Sequence, residues 1–508
     1  MGATFCVTTG MVWGMEAQPV RVEVSLSGGL PGIAIVGRPD SSVLEARSRV
    51  RCAIRSAGFS LPREAVTVNL SPSDVRKTGT AFDLPIAVAI LAATGQIPRA
   101  GLAGSLIVGE LSLEGEVMPV RGLMAYGELA QSLGMTLVGP RGALAAHADR
   151  EVTGRFVQTL AQFRGGVDNV GEPVEVVRAS GRPPVVTDFA DVAGQEIAKR
   201  GLAIAAAGRL GVLLIGPPGI GKTMLARCVP DILPPITEEE MFETLLIHSV
   251  AGVSDERVEA GQRPFRAPHH SASIAGLIGG GRPVRPGEVS LAHNGVLFLD
   301  ELGEFARNTL GALRQPIEEG SVRVTRAEGS YTFPCRFQLI AASNPCPCGH
   351  LGDPGQRCTC SEGAVSGYRA KLTGPLADRI DVMCLLERPT LAEMMGPATG
   401  SSTADLRAVV TRAREFAAWR RAGVGAAGST SPRLARRGAR IAQMVEESRL
   451  SGEAIDLLNR ASARGMSARG ITSVLRVARV VADMDQSEHV QPRHLAEALG
   501  YRERTLEG

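Results

Sequence analysis

The chain has 508 residues, 44% of them hydrophobic and 21% charged, with a formal net charge of +3. At roughly 100–200 residues per domain this predicts three or four domains with buried cores and excludes a chain disordered throughout. No uncharged apolar run reaches the ~18 residues of a membrane span, and nine cysteines are too few for a disulfide framework in such a length. The first residues, MGATFCVTTGMVWGMEAQ, lack the basic region of a secretory leader, so a cytoplasmic location is expected.

Charge is distributed unevenly. It is +16/−16 over residues 1–180, +21/−24 over 181–400 and +18/−12 over 401–508, where every positive charge is arginine. Only four lysines occur: Lys77, Lys199, Lys222 and Lys371. A lysine inside a motif therefore carries information.

Residues 1–165 alternate short strand-like runs with helical ones and predict a mixed α/β domain. Val20–Leu26, Gly29–Gly37 and Val66–Pro72 read as strands. Asp40–Ala57 reads as a helix started by Asp40 and stopped at Gly58, and Leu84–Thr94 as a buried helix. Leu106–Glu110 and Val117–Val120 read as a hairpin. Residues 166–187, rich in glycine and proline, read as a linker. From 188 to 390 the strands are strongly apolar: GVLLIG (211–216), GVLFLDE (295–301) and FQLIAASN (337–344). Such runs predict a mostly parallel sheet covered on both faces. Residues 391–508 read as helical and arginine-rich, with breaks at 391–402 and 422–432.

GPPGIGKT, spanning Gly216, Pro217, Pro218, Gly219, Ile220, Gly221, Lys222 and Thr223, fits G-x-x-x-x-G-K-[ST] between an apolar strand and a helix continuing at Met224. The glycines let backbone N–H groups close around phosphate oxygens at a helix N-terminus. Lys222 is expected on the β- and γ-phosphates of ATP and Thr223 on Mg²⁺. In Val296–Glu301 four apolar residues deliver a carboxylate pair, with Asp300 expected to hold Mg²⁺ and Glu301 to polarise the attacking water. Asn344 ends the next apolar strand, where an amide orients water or the γ-phosphate. Arg379 and Arg469 are candidate charge-stabilising arginines among many.

Cys346, Cys348, Cys358 and Cys360 crowd into fifteen residues. Four thiolates at this spacing suit a closed structural Zn²⁺ site, with His350 able to replace one of them. Unliganded loop thiols and a redox pair are the alternatives.

The stretches DVAGQ (191–195), GPPGIGKT, RPFRAPHHSAS (263–273), GEVSLAHNGVLFLDE (287–301), FPCRFQLIAASNPCPCG (333–349) and LTGPLADRID (372–381) resemble the ComM/YifB family of magnesium-chelatase-like AAA+ ATPases. The resemblance implies a Lon-protease-like N-terminal domain at 1–165, an AAA+ P-loop core at 188–390 with a helix-2 insert at about 261–290, and a helical lid at 391–508. It implies a homo-hexamer acting on single-stranded or branched DNA by branch migration during natural transformation, with recombination proteins as partners and no membrane. It casts Lys222 and Thr223 as Walker A, Asp300 and Glu301 as Walker B, and Asn344 as sensor 1. Arg379 is cast as a finger acting on the neighbouring subunit, and Arg469, or alternatively Arg476, as sensor 2.

The same resemblance places the protease's catalytic lysine at Met124 and its serine near Ala81. With neither present, peptide hydrolysis by that dyad is unavailable. Val322–Phe333 reads as a hairpin turning at Glu328-Gly329, and in related ATPases such a hairpin enters the central channel. Arg323 and Arg326, together with Arg266, His269 and His270 of the insert, are then candidate DNA contacts, or else part of a solvated surface. A DNA motor, a chelatase-type remodeller and an ATP-dependent protease remain the competing functions, and the missing dyad argues against the last.

Overall fold

The computed structural model describes the chain except residues 1–3, 143, 146–152, 174–175, 178–186, 327–328, 354, 373–375, 377–378, 396–399, 426–444, 446–447, 464 and 503–508. Half of the expected linker, residue 328 of the expected hairpin turn, and Arg433, Arg436, Arg437 and Arg440 of the C-terminal segment lie outside the described residues.

The N-terminal part is an eight-stranded mixed sheet. Its strands are β1 (Thr4–Trp13), β2 (Glu16–Ser27), β3 (Gly32–Val36), β4 (Ala65–Ser71), β5 (Ser105–Ile107), β6 (Thr136–Gly139), β7 (Gly154–Phe156) and β8 (Glu172–Pro173), in the order β8-β7-β6-β5-β1-β2-β4-β3. β1 and β2 form a long hairpin through Gly14, whose φ of +66° favours glycine. Along β2 buried Val20, Val22, Val24 and Leu26 alternate with outward residues, the pattern of a sheet with one face on the core. Helix α1 (Ser41–Ser56) starts where Asp40 accepts from the Val43 N–H at 3.0 Å, and it buries Val43, Ala46, Val50, Ala53 and Ile54 on one stripe. Helix α2 (Asp83–Ala93) is buried at every residue, and Asp83 is clamped by two bonds from Arg49. β8 pairs with β7, so Glu172–Pro173, expected in the linker, complete this sheet. The expected hairpin at 106–120 divides likewise. Leu106 lies in β5, parallel to β1, and the hairpin proper is only Glu110–Leu111 against Val117–Met118.

The second part is a five-stranded parallel sheet in the order β10-β11-β14-β9-β15: β9 (Gly211–Ile215), β10 (Phe265–Arg266), β11 (Val296–Leu299), β14 (Gln338–Ser343) and β15 (Ile380–Leu385). β9, β11 and β14 are buried at every residue, because helices cover both faces. Phe265–Arg266, expected in the insert, pair with Val296–Leu297 and form the sheet's edge strand. Proline and arginine on either side mask a two-residue strand. The insert proper follows as α7 (Ile274–Ile278) and a short ladder of Gly279–Gly280 with Arg285–Pro286. Between β11 and β14, β12 (Ser321–Arg326) and β13 (Gly329–Pro334) form the expected antiparallel hairpin.

Four C-terminal helices, α10 (Thr403–Gly425), α11 (Gly452–Ala463), α12 (Ala468–Met484) and α13 (Pro492–Gly500), share one core cluster with α4 (Glu196–Gly208) and α5 (Lys222–Ile232) of the second part. Among the described residues no helix is long and apolar enough to cross a membrane.

Candidate active site

The chemistry-bearing residues converge at the C-terminal end of the parallel sheet, where open α/β sheets bind ligands. Gly219 and Gly221 hold φ of +79° and +93°, a backbone that side chains strain to adopt, and the loop they form feeds directly into α5. Pro218 and Gly219 are exposed at the tip, Gly216, Pro217 and Ile220 are buried beneath it, and Met224 is exposed on the first turn of α5. Lys222 is buried. Its Nζ donates to the Gly216 and Pro217 carbonyls at 2.6 and 2.9 Å and to Asn344 Oδ1 at 3.0 Å. Burial lowers its pKa to about 8, although Asp300 and Glu301 pull the other way. A cation so poorly compensated in a glycine-lined cradle is a fitting seat for phosphate.

Thr223 Oγ1 donates to Asp300 Oδ2 at 2.9 Å. This hard-oxygen pair suits Mg²⁺. Glu301 sits just beyond β11 with φ of +50°, a left-handed backbone that costs a non-glycine residue about 1–2 kcal/mol. Its carboxylate meets His270 Nδ1 at 3.1 Å, a contact no sequence spacing announces.

Immediately after Asn344, the sulfurs of Cys346, Cys348, Cys358 and Cys360 lie within 4.8 Å of one another. Three of the separations are 3.4, 3.6 and 3.7 Å. Sulfurs at about 2.3 Å from a tetrahedral Zn²⁺ stand about 3.8 Å apart, so the group fits that ion. Backbone N–H groups of Thr359 and His350 lower the Cys348 thiol to about 5, whereas Cys358 and Cys360 are raised, so without a cation the group holds charge on one sulfur at the expense of its neighbours. His350 is not part of the sulfur group and faces Asp353 instead at 3.3 Å. Asp353 also takes three bonds from Arg388, which tie the cysteine loop to the segment following β15. At Gly349 a Cβ would stand 3.0 Å from Pro218, so the cysteine loop rests on the phosphate loop.

Residues 188–394 match the family described as magnesium chelatase, subunit ChlI. Residues 22–141 match subunit ChlI of Mg-chelatase, and 400–502 the magnesium chelatase subunit ChlI C-terminal family. The chain is 39% identical over 515 residues to the protein YifB of Salmonella typhimurium, covering 98% of this chain and 96% of that one. It is 40% identical over 500 residues to competence protein ComM of Haemophilus influenzae, covering 96% and 95%. The chain belongs to the ComM/YifB family of magnesium-chelatase-like AAA+ ATPases. Similarity to the magnesium-chelatase 67 kDa subunit of Chlorobaculum tepidum is narrower, 30% over 159 residues, covering 31% of this chain and 23% of that one.

In this ComM/YifB-family chain Arg379 stands apart from the phosphate loop. It precedes β15, beside Gly211 at the opposite end of the strands. Five strand residues span ~17 Å, out of reach of the chain's own γ-phosphate. Its guanidinium meets Glu318, and burial with neighbouring Arg314 and Arg476 lowers its pKa. Arg476 bonds the buried Asp381 at 3.2 and 3.4 Å and anchors α12 to β15. Arg469 is exposed in the first turn of α12.

The DNA candidates divide. Arg323 and Arg326 are exposed on β12. One side of their hairpin is covered, where Trp13 of β1 packs on Tyr331 with ring centroids 4.9 Å apart. Arg266 makes a two-pronged pair with Glu288 at 2.7 and 2.9 Å, so its charge is answered within the chain. His269 bonds Ser271 Oγ at 2.7 Å, and His270 serves Glu301.

Ala81 and Met124, the positions expected to replace a serine and a lysine, are buried together with Met241, Phe242 and Leu245 of α6 (Glu238–Ala251). α6 is fastened there: Ser249 accepts from the Gly122 N–H at 2.8 Å through its carbonyl and from the Met124 N–H at 3.2 Å through Oγ.

Proposed function

We propose that this AAA+ ATPase is a cytoplasmic, hexameric DNA motor that drives branch migration or unwinding of DNA junctions during uptake and recombination of DNA. The observation that carries the hydrolytic half is the meeting of Lys222, Thr223, Asp300 and Asn344 at the end of one parallel sheet. The DNA half is supported by near full-length kinship with a competence protein and by Arg323 and Arg326 on an exposed strand.

The residues divide the work as follows. Backbone N–H groups of Gly219, Ile220 and Gly221 and the Lys222 ammonium hold the phosphates. Thr223 and Asp300 would hold Mg²⁺, which neutralises charge on the leaving phosphates. Asn344 moves from Lys222 to the γ-phosphate or the attacking water. Glu301 takes the water's proton. Arg379 reaches a neighbouring subunit's γ-phosphate after leaving Glu318, so a ring is required for full turnover. Arg469 serves the same charge from the lid, because Arg476 is held by Asp381. Zn²⁺ on Cys346, Cys348, Cys358 and Cys360 would brace Asn344 and Pro218 and have no part in catalysis.

The N-terminal part is read as a Lon-protease shape without its chemistry. A chelatase-type remodeller is the second reading, supported by the family matches along the chain. The deciding experiment follows a labelled three- or four-way junction with ATP, using Lys222→Ala as control. ATP-dependent strand exchange that is lost in the control is expected. ATP hydrolysis without junction movement, with or without single-stranded DNA, would favour the remodeller.

A further inference from the structure

A cavity of about 360 Å³ lies at the end of the parallel sheet opposite the phosphate loop. Arg209 before β9, Gly295 before β11 and Gln338 at the start of β14 line it, together with Arg414 of α10. The volume is at the small end of ligand pockets, which run to roughly 300–1,000 Å³. The carboxylates on its wall are already engaged. Glu240 meets Arg263 at 2.7 Å and Arg209 at 3.5 Å, Glu318 meets Arg379, and Glu319 accepts from Gln315 at 2.9 Å. Arg336 is held by Glu243 at 2.6 Å. Arg414 has no ion pair among the described residues. Its Nε and Nη2 both donate to the Ala206 carbonyl, which occupies two of its five N–H groups. Burial and the charges of Arg209 and Arg263 lower its pKa to about 10, so this guanidinium is short of negative charge.

Gln338 makes a second demand. It is 5% exposed, and its amide nitrogen donates to the Leu210 carbonyl at 3.2 Å. That bond fixes the amide's orientation, because a carbonyl takes the N–H and not another oxygen. Oε1 is then left buried with no donor among the described residues, where buried acceptors are ordinarily paired. Phe337, Leu233 and Ile317 supply apolar wall. A matching ligand carries an anionic group, an N–H or O–H donor and an apolar face. We propose that this cavity is a second nucleotide site, separate from the phosphate loop, that takes a nucleoside monophosphate. Its phosphate would lie on Arg414 and Arg209, its base against Phe337, and an N–H of the base or a ribose hydroxyl would serve Gln338.

The test is equilibrium dialysis of radiolabelled AMP against the full chain without ATP. AMP lacks the β- and γ-phosphates that Lys222 is read to hold, so Lys222→Ala should leave its binding within about twofold of wild type. Arg414→Gln should weaken AMP about tenfold or more, and Arg209→Gln and Gln338→Leu about threefold each. Inorganic phosphate, with no base to bury, should bind at least about tenfold more weakly than AMP. The Arg209 side chain is 64% exposed, so that variant should keep the wild-type dichroism and thermal midpoint, and its loss of AMP is then a loss of contact. No AMP bound by wild type, binding abolished by Lys222→Ala, or binding left intact by both arginine variants would each overturn the proposal. Phosphate bound as tightly as AMP would leave an adventitious ion only and remove the nucleotide.

Discussion

Two regions of this chain use buried space in opposite ways. At the end of the parallel sheet a buried lysine, a threonine–aspartate pair, an amide and a glutamate are gathered around a glycine-lined loop. In the N-terminal part, Ala81 and Met124 share a buried apolar cluster with Met241, Phe242 and Leu245 of α6. One cleft keeps polar groups near water at a cost in desolvation. The other region is a hydrophobic joint between the two parts of the chain. Burying these side chains favours docking by roughly 1.5–3 kcal/mol apiece.

The sharpest way to break this comparison is to remove chemistry from the nucleotide cleft and to add a serine and a lysine to the apolar joint. Lys222→Ala and Glu301→Gln should each lower ATP turnover at least about a hundredfold with the far-ultraviolet dichroism unchanged. The double change Ala81→Ser with Met124→Lys should yield no casein hydrolysis, because α6 bars substrate. It should instead place an unpaired ammonium among apolar side chains, at about 3 kcal/mol or more. Hydrogen exchange released across α3 (Leu123–Ser132) and α6 would report that cost. Casein cleavage by the double variant would show that the groove still opens.

The difference in legibility follows the same division. The phosphate loop is readable because its eight residues are contiguous and each residue type has a local task. The carboxylates after Leu299, Asn344 after Ser343, the cysteine spacing and the hairpin of β12 and β13 are readable for the same reason. What the sequence concealed is long-range. The lid of α6 over Met124 joins residues more than a hundred positions apart. Trp13 reaches Tyr331, and Asp353 is held by Arg388, with no spacing rule to announce either. Arg266 reads as a candidate for phosphate because its sequence context gives no hint of Glu288, and Phe265–Arg266 is too short a strand to leave a period.

A smaller effect tests how firmly the first cleft depends on its neighbour. The cysteine loop presses Gly349 onto Pro218 and follows Asn344 directly. Cys358→Ser should reduce bound zinc, measured by plasma mass spectrometry, from about one ion per chain toward none, since a closed tetrahedral site needs all four ligands. KM for ATP should then rise several-fold, on the order of 1 kcal/mol, as the support under the phosphate loop loosens. Full zinc content in that variant would remove the four-sulfur assignment.

The subtlest effect is protonic, and only the nucleotide cleft should display it. Without phosphate, burial holds Lys222 at about 8. Bound phosphates stabilise its charged form and raise that value, so ATP binding near pH 8 must draw a proton from solvent. Calorimetry in buffers of different ionisation enthalpy should find uptake of about half a proton at pH 8 and almost none a unit and a half below, where Lys222 is already charged. Affinity should fall as pH climbs past 8, because the free lysine must then be recharged to bind. Lys222→Arg should abolish the uptake, since a guanidinium stays protonated throughout. Uptake that persists in that variant would assign the proton to another group in the cleft and leave the lysine charged from the start.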